Sequence, residues 1–166
     1  MATGLESLYS EIILDHYRAP HGRGLREPFD AQSHQVNPLC GDEITLRVSL
    51  DDADADTPDG ARVVQDVSYD ATGCSISQAS ASMLHDLVAG QTVDRAAQRL
   101  GGVRAMLIDP GDDDPDEDLL EDAVAVAGVA RFPARVKCAL LPWAAFTDAM
   151  TRAGVAVRAD DTAEEH

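Results

Sequence analysis

Lysine is almost missing from this chain: Lys137 is the only one in 166 residues. Lys and Arg together number 13 against 30 Asp and Glu, a formal charge of −17. Long-range attraction to nucleic acid or to an anionic bilayer is thereby disfavoured, and cations or basic partners are favoured. A lysine-poor, Asp- and Ala-rich composition fits either the base composition of a genome or a saline cytoplasm, and both readings stay open. No run approaches the ~18 uninterrupted apolar residues of a membrane span, and Glu6 and Glu11 stand where a signal peptide would be basic and then apolar. These absences lead to the expectation of a soluble cytoplasmic protein. Cysteine is scarce too: Cys40, Cys74 and Cys138 are odd in number, far apart and include no CxxC pair. They do not form the dense, even framework of a small secreted domain, so metal ligation or thiol chemistry in a reducing compartment is expected.

A hydrophobic content of 45% is enough for one core, and a single domain over 1–153 with a flexible acidic tail over 154–166 is expected. Leu8, Ile12, Ile13 and Tyr17 recur at helical spacing, which predicts a helix over about 4–18, stopped by Pro20 and Gly22. The period then changes. Segments 32–37, 43–50 and 62–69 read as strands, and the Asp-rich 51–60 as a solvated hairpin loop. After Cys74 the helical period returns, with Ser75 and Gln78 as a capping box and Gly90 as the stop. Thr92 caps a further helix that should break at Gly101–Gly102. Asp114 as N-cap and Pro115 as first residue open another, with Leu119, Leu120, Ala123, Val124 and Ala127 on its apolar face and Gly128 closing it. The last helix is expected over 138–153, because Pro142 is comfortable only in a first turn. The fold class is α+β: a three-stranded antiparallel sheet with helices on one face.

Three segments put a thiol or carboxylate at a chain bend: NPLCGD over 37–42, GCSIS over 73–77 and RVKCA over 135–139. In an extended chain Cys40 and Asp42 point to the same side, and Gly41 lets the backbone fold close to whatever they hold. Cys74 and Cys138 are placed at helix starts, where the dipole stabilises a thiolate. Three sulfurs and one oxygen suit Zn²⁺, and they suit a small iron–sulfur unit as well. Each cysteine taken alone reads equally as a small buried hydrophobe. Residue types leave these alternatives open.

A resemblance bears on them. The stretch from Leu8-Tyr9 through Ile13-Leu14-Asp15-His16-Tyr17-Arg18, then Pro20-His21 and Gly24, resembles the first helix and turn of SufU-type iron–sulfur cluster assembly proteins of the IscU/NifU N-terminal scaffold superfamily. NPLCGD, GCSIS and RVKCALLPW resemble that superfamily's ligand motifs, in the same order, over about 5–150. Lys137 stands where IscU-type scaffolds carry histidine, and about twenty extra residues around 109–128 precede the last motif. Both features resemble the SufU branch. The resemblance implies an IscU-like fold and a zinc centre of Cys40, Asp42, Cys74 and Cys138. It implies that Cys40 accepts persulfide sulfur from a SufS-type cysteine desulfurase, whose histidine takes the vacated place on the metal, with other Suf components as further partners. The runner-up is a scaffold carrying a transient iron–sulfur cluster; a structural zinc module is third.

The remaining candidates carry less. Counting a calcium loop from Asp52 puts Thr57 where Gly is needed and Val63 where Glu is needed. His16, His21, His34 and His85 are read as non-ligands, and His16 as a helix-face residue beside Tyr17. Trp143 and Phe146 are read as core. Arg135, near Cys138, reads either as the flank of a helix start or as a support for a persulfide or a partner carboxylate, and Lys137 is a second candidate for support. Three thiolates make a metal a weak Lewis acid, which argues against a zinc hydrolase.

Overall fold

The computed structural model describes residues 4–51, 56–109 and 115–157. Helix α1 (Gly4–Arg18) leads through an irregular segment into strands β1 (Ala31–Asn37), β2 (Asp42–Leu50) and β3 (Val64–Thr72). These form one antiparallel sheet in the order β1-β2-β3, with Asn37 opposite Asp42 and Glu43 opposite Thr72. In β2 the alternation is regular: Ile44, Leu46, Val48 and Leu50 are buried between less buried neighbours. That is the pattern of a sheet with one face on a core. Segment 22–24 runs along the free side of β3, Gly24 N–H donating to Tyr69 C=O at 2.7 Å.

Helices α2 (Ser75–Val88) and α3 (Val93–Ile108) follow, then a single turn α4 (Glu117–Leu120), a 3-10 segment over Glu121–Arg131, and α5 (Pro133–Arg152). Helix α5 lies across β1 and β2 and against α2. Its Trp143, Phe146 and Met150 meet Ile44, Leu46, Met83 and Leu84 in one continuous core. Truncating a buried aromatic such as Trp143 to Ala costs about 3–5 kcal/mol in such a setting. Arg99 is buried as well; it donates to Leu87 C=O at 2.8 Å and to Glu121 Oε2 at 3.0 Å, tying α3 to α2 and to the 3-10 segment.

The α+β class and the three strands are as expected, and several local readings are corrected. The N-cap of α2 is Cys74, not Ser75, and the Gln78 amide reaches back to Gly73 C=O at 2.9 Å. Helix α3 does not break at Gly101–Gly102. A Cβ on Gly102 would press on the Leu119 and Leu120 side chains, so the glycine serves close packing against α4. The expected cap Asp114 lies outside the described residues. Asp116 caps α4, accepting from the Asp118 and Leu119 amides, so Pro115 precedes the helix instead of opening it, and Gly128 lies inside the 3-10 segment. Helix α5 starts at Pro133, which leaves Pro142 in its interior. Val155 and Val157, placed in the tail by sequence, are buried in the core. Among the described residues no helix is long and apolar enough to cross a membrane.

Candidate metal centre

The β1–β2 turn carries Cys40. Asn37 C=O accepts from the Cys40 amide at 3.2 Å and from the Gly41 amide at 2.8 Å, and Gly41 turns the chain with φ +71°. A side chain would be strained at that φ, so glycine is what lets Asp42 start β2 directly behind the thiol. Cys40 is exposed, whereas Asp42 is completely buried. Cys74 is half-buried and is the N-cap of α2.

Cys138 departs from expectation. It sits in the second turn of α5, fully buried, not at the helix start. The dipole argument therefore does not apply to it. Burial first, and then the adjoining Asp42, Cys40 and Cys74, push the Cys138 thiol well above the ordinary range. Its sulfur lies 3.8 Å from the Asn37 side-chain amide and 3.6 Å from Ala134 C=O.

The four residues converge all the same. Cys40 Sγ, a carboxylate oxygen of Asp42 and Cys138 Sγ lie within 4.8 Å of one another. Cys74 Sγ is 3.9 Å from Asp42 Oδ2, and the Cys74 amide donates to Asp42 Oδ1 at 2.9 Å. Gly73, with φ +136°, makes that contact possible, because any Cβ there would overlap the Asp42 carboxylate. A metal fits this donor set on chemical grounds. Among the described residues no lysine, arginine or histidine pairs with the buried Asp42 carboxylate, and a buried charge needs a counter-charge. Three sulfurs and one oxygen are donors for a tetrahedral d¹⁰ cation.

The two flanking basic residues diverge. Arg135 is exposed and lines a cavity of about 720 Å³ with Tyr9, Ile13, Ile76, Val129 and Phe132. Lys137 is exposed on the other flank, beside a shallow apolar groove formed by Val36, Pro38, Leu39, Leu140 and Ala144. Leu39, next to the exposed thiol, is 71% exposed. No sequence signal pointed to these two surfaces, since their walls come from segments distant in the chain.

A three-stranded antiparallel sheet backed by helices, with three thiols and a carboxylate at one end, is the frame of a known family. The chain belongs to the NifU-like N terminal domain family, which it matches over residues 8–139. It is 36% identical over 141 residues to the zinc-dependent sulfurtransferase SufU of Bacillus subtilis, covering 85% of this chain and 88% of that protein. It is 33% identical over 157 residues to the iron–sulfur cluster assembly scaffold protein IscU of Streptococcus pyogenes, covering 95% of this chain and 91% of that protein. Among solved structures, a NifU-like N-terminal protein from Brucella abortus superposes with a TM-score of 0.75 at 24% identity, covering 92% of this chain and 98% of that one, a likeness of fold. A protein from Fervidobacterium islandicum assigned to iron–sulfur cluster assembly in the SUF system superposes with a TM-score of 0.69 at 30% identity, covering 89% and 99%. The family is one of iron–sulfur cluster assembly.

Proposed function

We propose that this chain is a zinc-dependent sulfur acceptor, taking persulfide sulfur from a SufS-type cysteine desulfurase, with Cys40 as acceptor and Asp42, Cys74 and Cys138 as the other zinc ligands. The observation that carries the reading is the unequal burial of three convergent thiols: Cys40 is exposed, Cys74 is half-buried and Cys138 is sealed in the core. Only an exposed thiol can meet a persulfide on another protein. Zinc, when bound, would supply the positive charge that lets closely spaced thiols and a buried carboxylate all be ionised.

Cys40 rides on a turn, so its sulfur can swing outward while the β2 ladder from Asp42 stays paired. In the transfer the Cys40 thiolate attacks the outer sulfur of the desulfurase persulfide. A new S–S bond forms at Cys40, the S–S bond on the desulfurase breaks, and the electron pair leaves on its cysteine as thiolate. Oxidation state is conserved, so no further reductant enters this step. Asp42, Cys74 and Cys138 stay in place during it, held by the bond from the Cys74 amide and by burial.

A scaffold reading is favoured by one observation, the match to the Streptococcus pyogenes scaffold over 95% of this chain. One preparation separates the two. The zinc form is mixed with a SufS-type desulfurase and cysteine, and persulfide is mapped by mass spectrometry; the apo form is given iron, sulfide and reductant, and cluster is followed by absorbance. Sulfur on Cys40, lost in Cys40→Ser, is the expected result. Absence of persulfide and of desulfurase stimulation, together with good cluster yield, would establish the scaffold.

A further inference from the structure

A second convergence of metal donors lies away from the thiols, at the end of α1. His16 is buried, its Nδ1 is 2.6 Å from Ser82 Oγ, and its Nε2 is 2.9 Å from Asp122 Oδ2. His21 Nδ1 is 2.7 Å from Asp86 Oδ2, and the two imidazole rings are 4.9 Å apart, tilted by 59°. One nitrogen of His16, one of His21 and a carboxylate oxygen of Asp86 lie within 4.8 Å of one another. Ser82 is eight residues beyond Cys74 on α2, about 12 Å along the helix axis, so the two sets do not share an ion.

We propose that His16, His21 and Asp86 form a second site, for a divalent first-row transition ion. Two imidazoles and a carboxylate select such ions over Mg²⁺ or Ca²⁺, which take oxygen donors. The chain of Ser82, His16 and Asp122 has the residue types of a hydrolytic triad, but the Ser82 hydroxyl is completely buried and no substrate reaches it. Its arrangement suits a ligand's support instead. The Asp122 carboxylate only accepts, so His16 carries its proton on Nε2 and takes the Ser82 proton at Nδ1, while Ser82 Oγ accepts from the His21 amide at 2.8 Å.

A metal at Nε2 requires the other tautomer, with Nδ1–H donating to Ser82. The Ser82 proton then needs a new acceptor. Tyr69 supplies one: its hydroxyl is buried, interacts with the Ser82 side chain and has no other hydrogen-bond partner among the described residues. His21 and Asp86 are on the surface, which leaves an entry path and lets both side chains close onto an ion with small rotations. Ligands of a tetrahedral zinc stand roughly 3.4 Å apart, since each bond is about 2.0–2.1 Å. The bound ion would pin α1 to α2.

The site is independent of the thiol centre, and so is its test. Zn²⁺ is titrated by calorimetry into the full chain and into His21→Ala and Asp86→Asn, both surface changes, with folding checked by circular dichroism. Each variant is expected to bind one zinc fewer than the wild type, or to bind it at least about ten-fold more weakly. With Co²⁺ as probe, the lost ion should lack the thiolate charge-transfer band that cobalt on cysteine shows. Ser82→Ala should keep the stoichiometry and weaken this ion by about 10–100-fold. Equal stoichiometry and affinity in wild type and His21→Ala overturns the site, as does loss of an ion that carries the thiolate band. The difference between wild type and variant is read whether or not the thiols also hold zinc.

Discussion

The Cys74 amide donates to Asp42 Oδ1 at 2.9 Å, joining the first turn of α2 to the first residue of β2 across 32 positions of sequence. Gly73 makes room for that bond. Gly73→Ala should therefore strain a left-handed backbone and displace the carboxylate together, costing on the order of 1–3 kcal/mol. Urea unfolding measures the loss, and zinc content of the purified variant shows whether Asp42 still serves the centre. Unchanged stability and metal content would mean that the turn accommodates a methyl.

Isolated protein should contain about one zinc on the thiols, and a chelator should lower its thermal midpoint. At a free metal concentration ~100 times the dissociation constant, binding contributes about 2.7 kcal/mol, which for this size is on the order of 5–10 °C. Cys74→Ser should show a clearly smaller chelator-dependent drop than the wild type. A wild-type midpoint indifferent to chelator would exclude a stabilising metal.

Arg26 and Asp66 form a fork-to-fork pair, with two contacts of 2.8 Å. The hydrogen bond from Arg26, opposed in part by burial, holds the Asp66 carboxyl below the usual carboxylate range. A lowered folded value means that the stabilisation is present above the unfolded value of about 3.9 and is lost as pH falls through the folded one. The pair is at the surface, so its worth is about 0.2–1 kcal/mol. Asp66→Asn should thus be slightly less stable than wild type near neutrality, and the gap should close as pH falls through the lowered folded value. A gap that widens on acidification would contradict the sign.

Arg99 is 5% exposed and serves two acceptors on separate elements. Arg99→Ala leaves the Leu87 carbonyl without its donor and opens a cavity, for a loss of about 1–3 kcal/mol. Hydrogen exchange should show the loss concentrated at the α2 C-terminus and the 3-10 segment. A loss below a few tenths of a kcal/mol would show that water replaces the guanidinium.

Sheet and helices were legible because Ile44, Leu46 and Val48 alternate and Met83, Leu84 and Leu87 recur on one helical face, both local patterns. Limits of elements are less legible. Pro142 reads as a start signal, but Pro133 is the proline that occupies the first turn, so Cys138 lies in a buried second turn and not at a helix end. The apolar run through Val124 suggested an α-helix where the chain forms a 3-10 segment. The convergence of Cys40, Asp42, Cys74 and Cys138 came from motif resemblance, since no spacing joins residues nearly a hundred positions apart. The contacts of His16 and His21 are illegible for the same reason: their partners Ser82, Asp86 and Asp122 are 61 to 106 positions away, beyond any local pattern.

The solitary lysine gives the molecule a built-in address label. Lys137 supplies the one side-chain amine of the chain, exposed beside the apolar groove that Leu39 and Leu140 help form. An amine-directed dye or cross-linker, used once the chain's amino terminus has been blocked, reports from one known point, a peptide bond away from Cys138. A lysine-specific protease acting on the unfolded chain cuts it once, into 1–137 and 138–166. Cys40 and Cys74 travel on one fragment and Cys138 on the other, so a two-peak mass spectrum already tells sulfur on Cys40 or Cys74 from sulfur in the core helix.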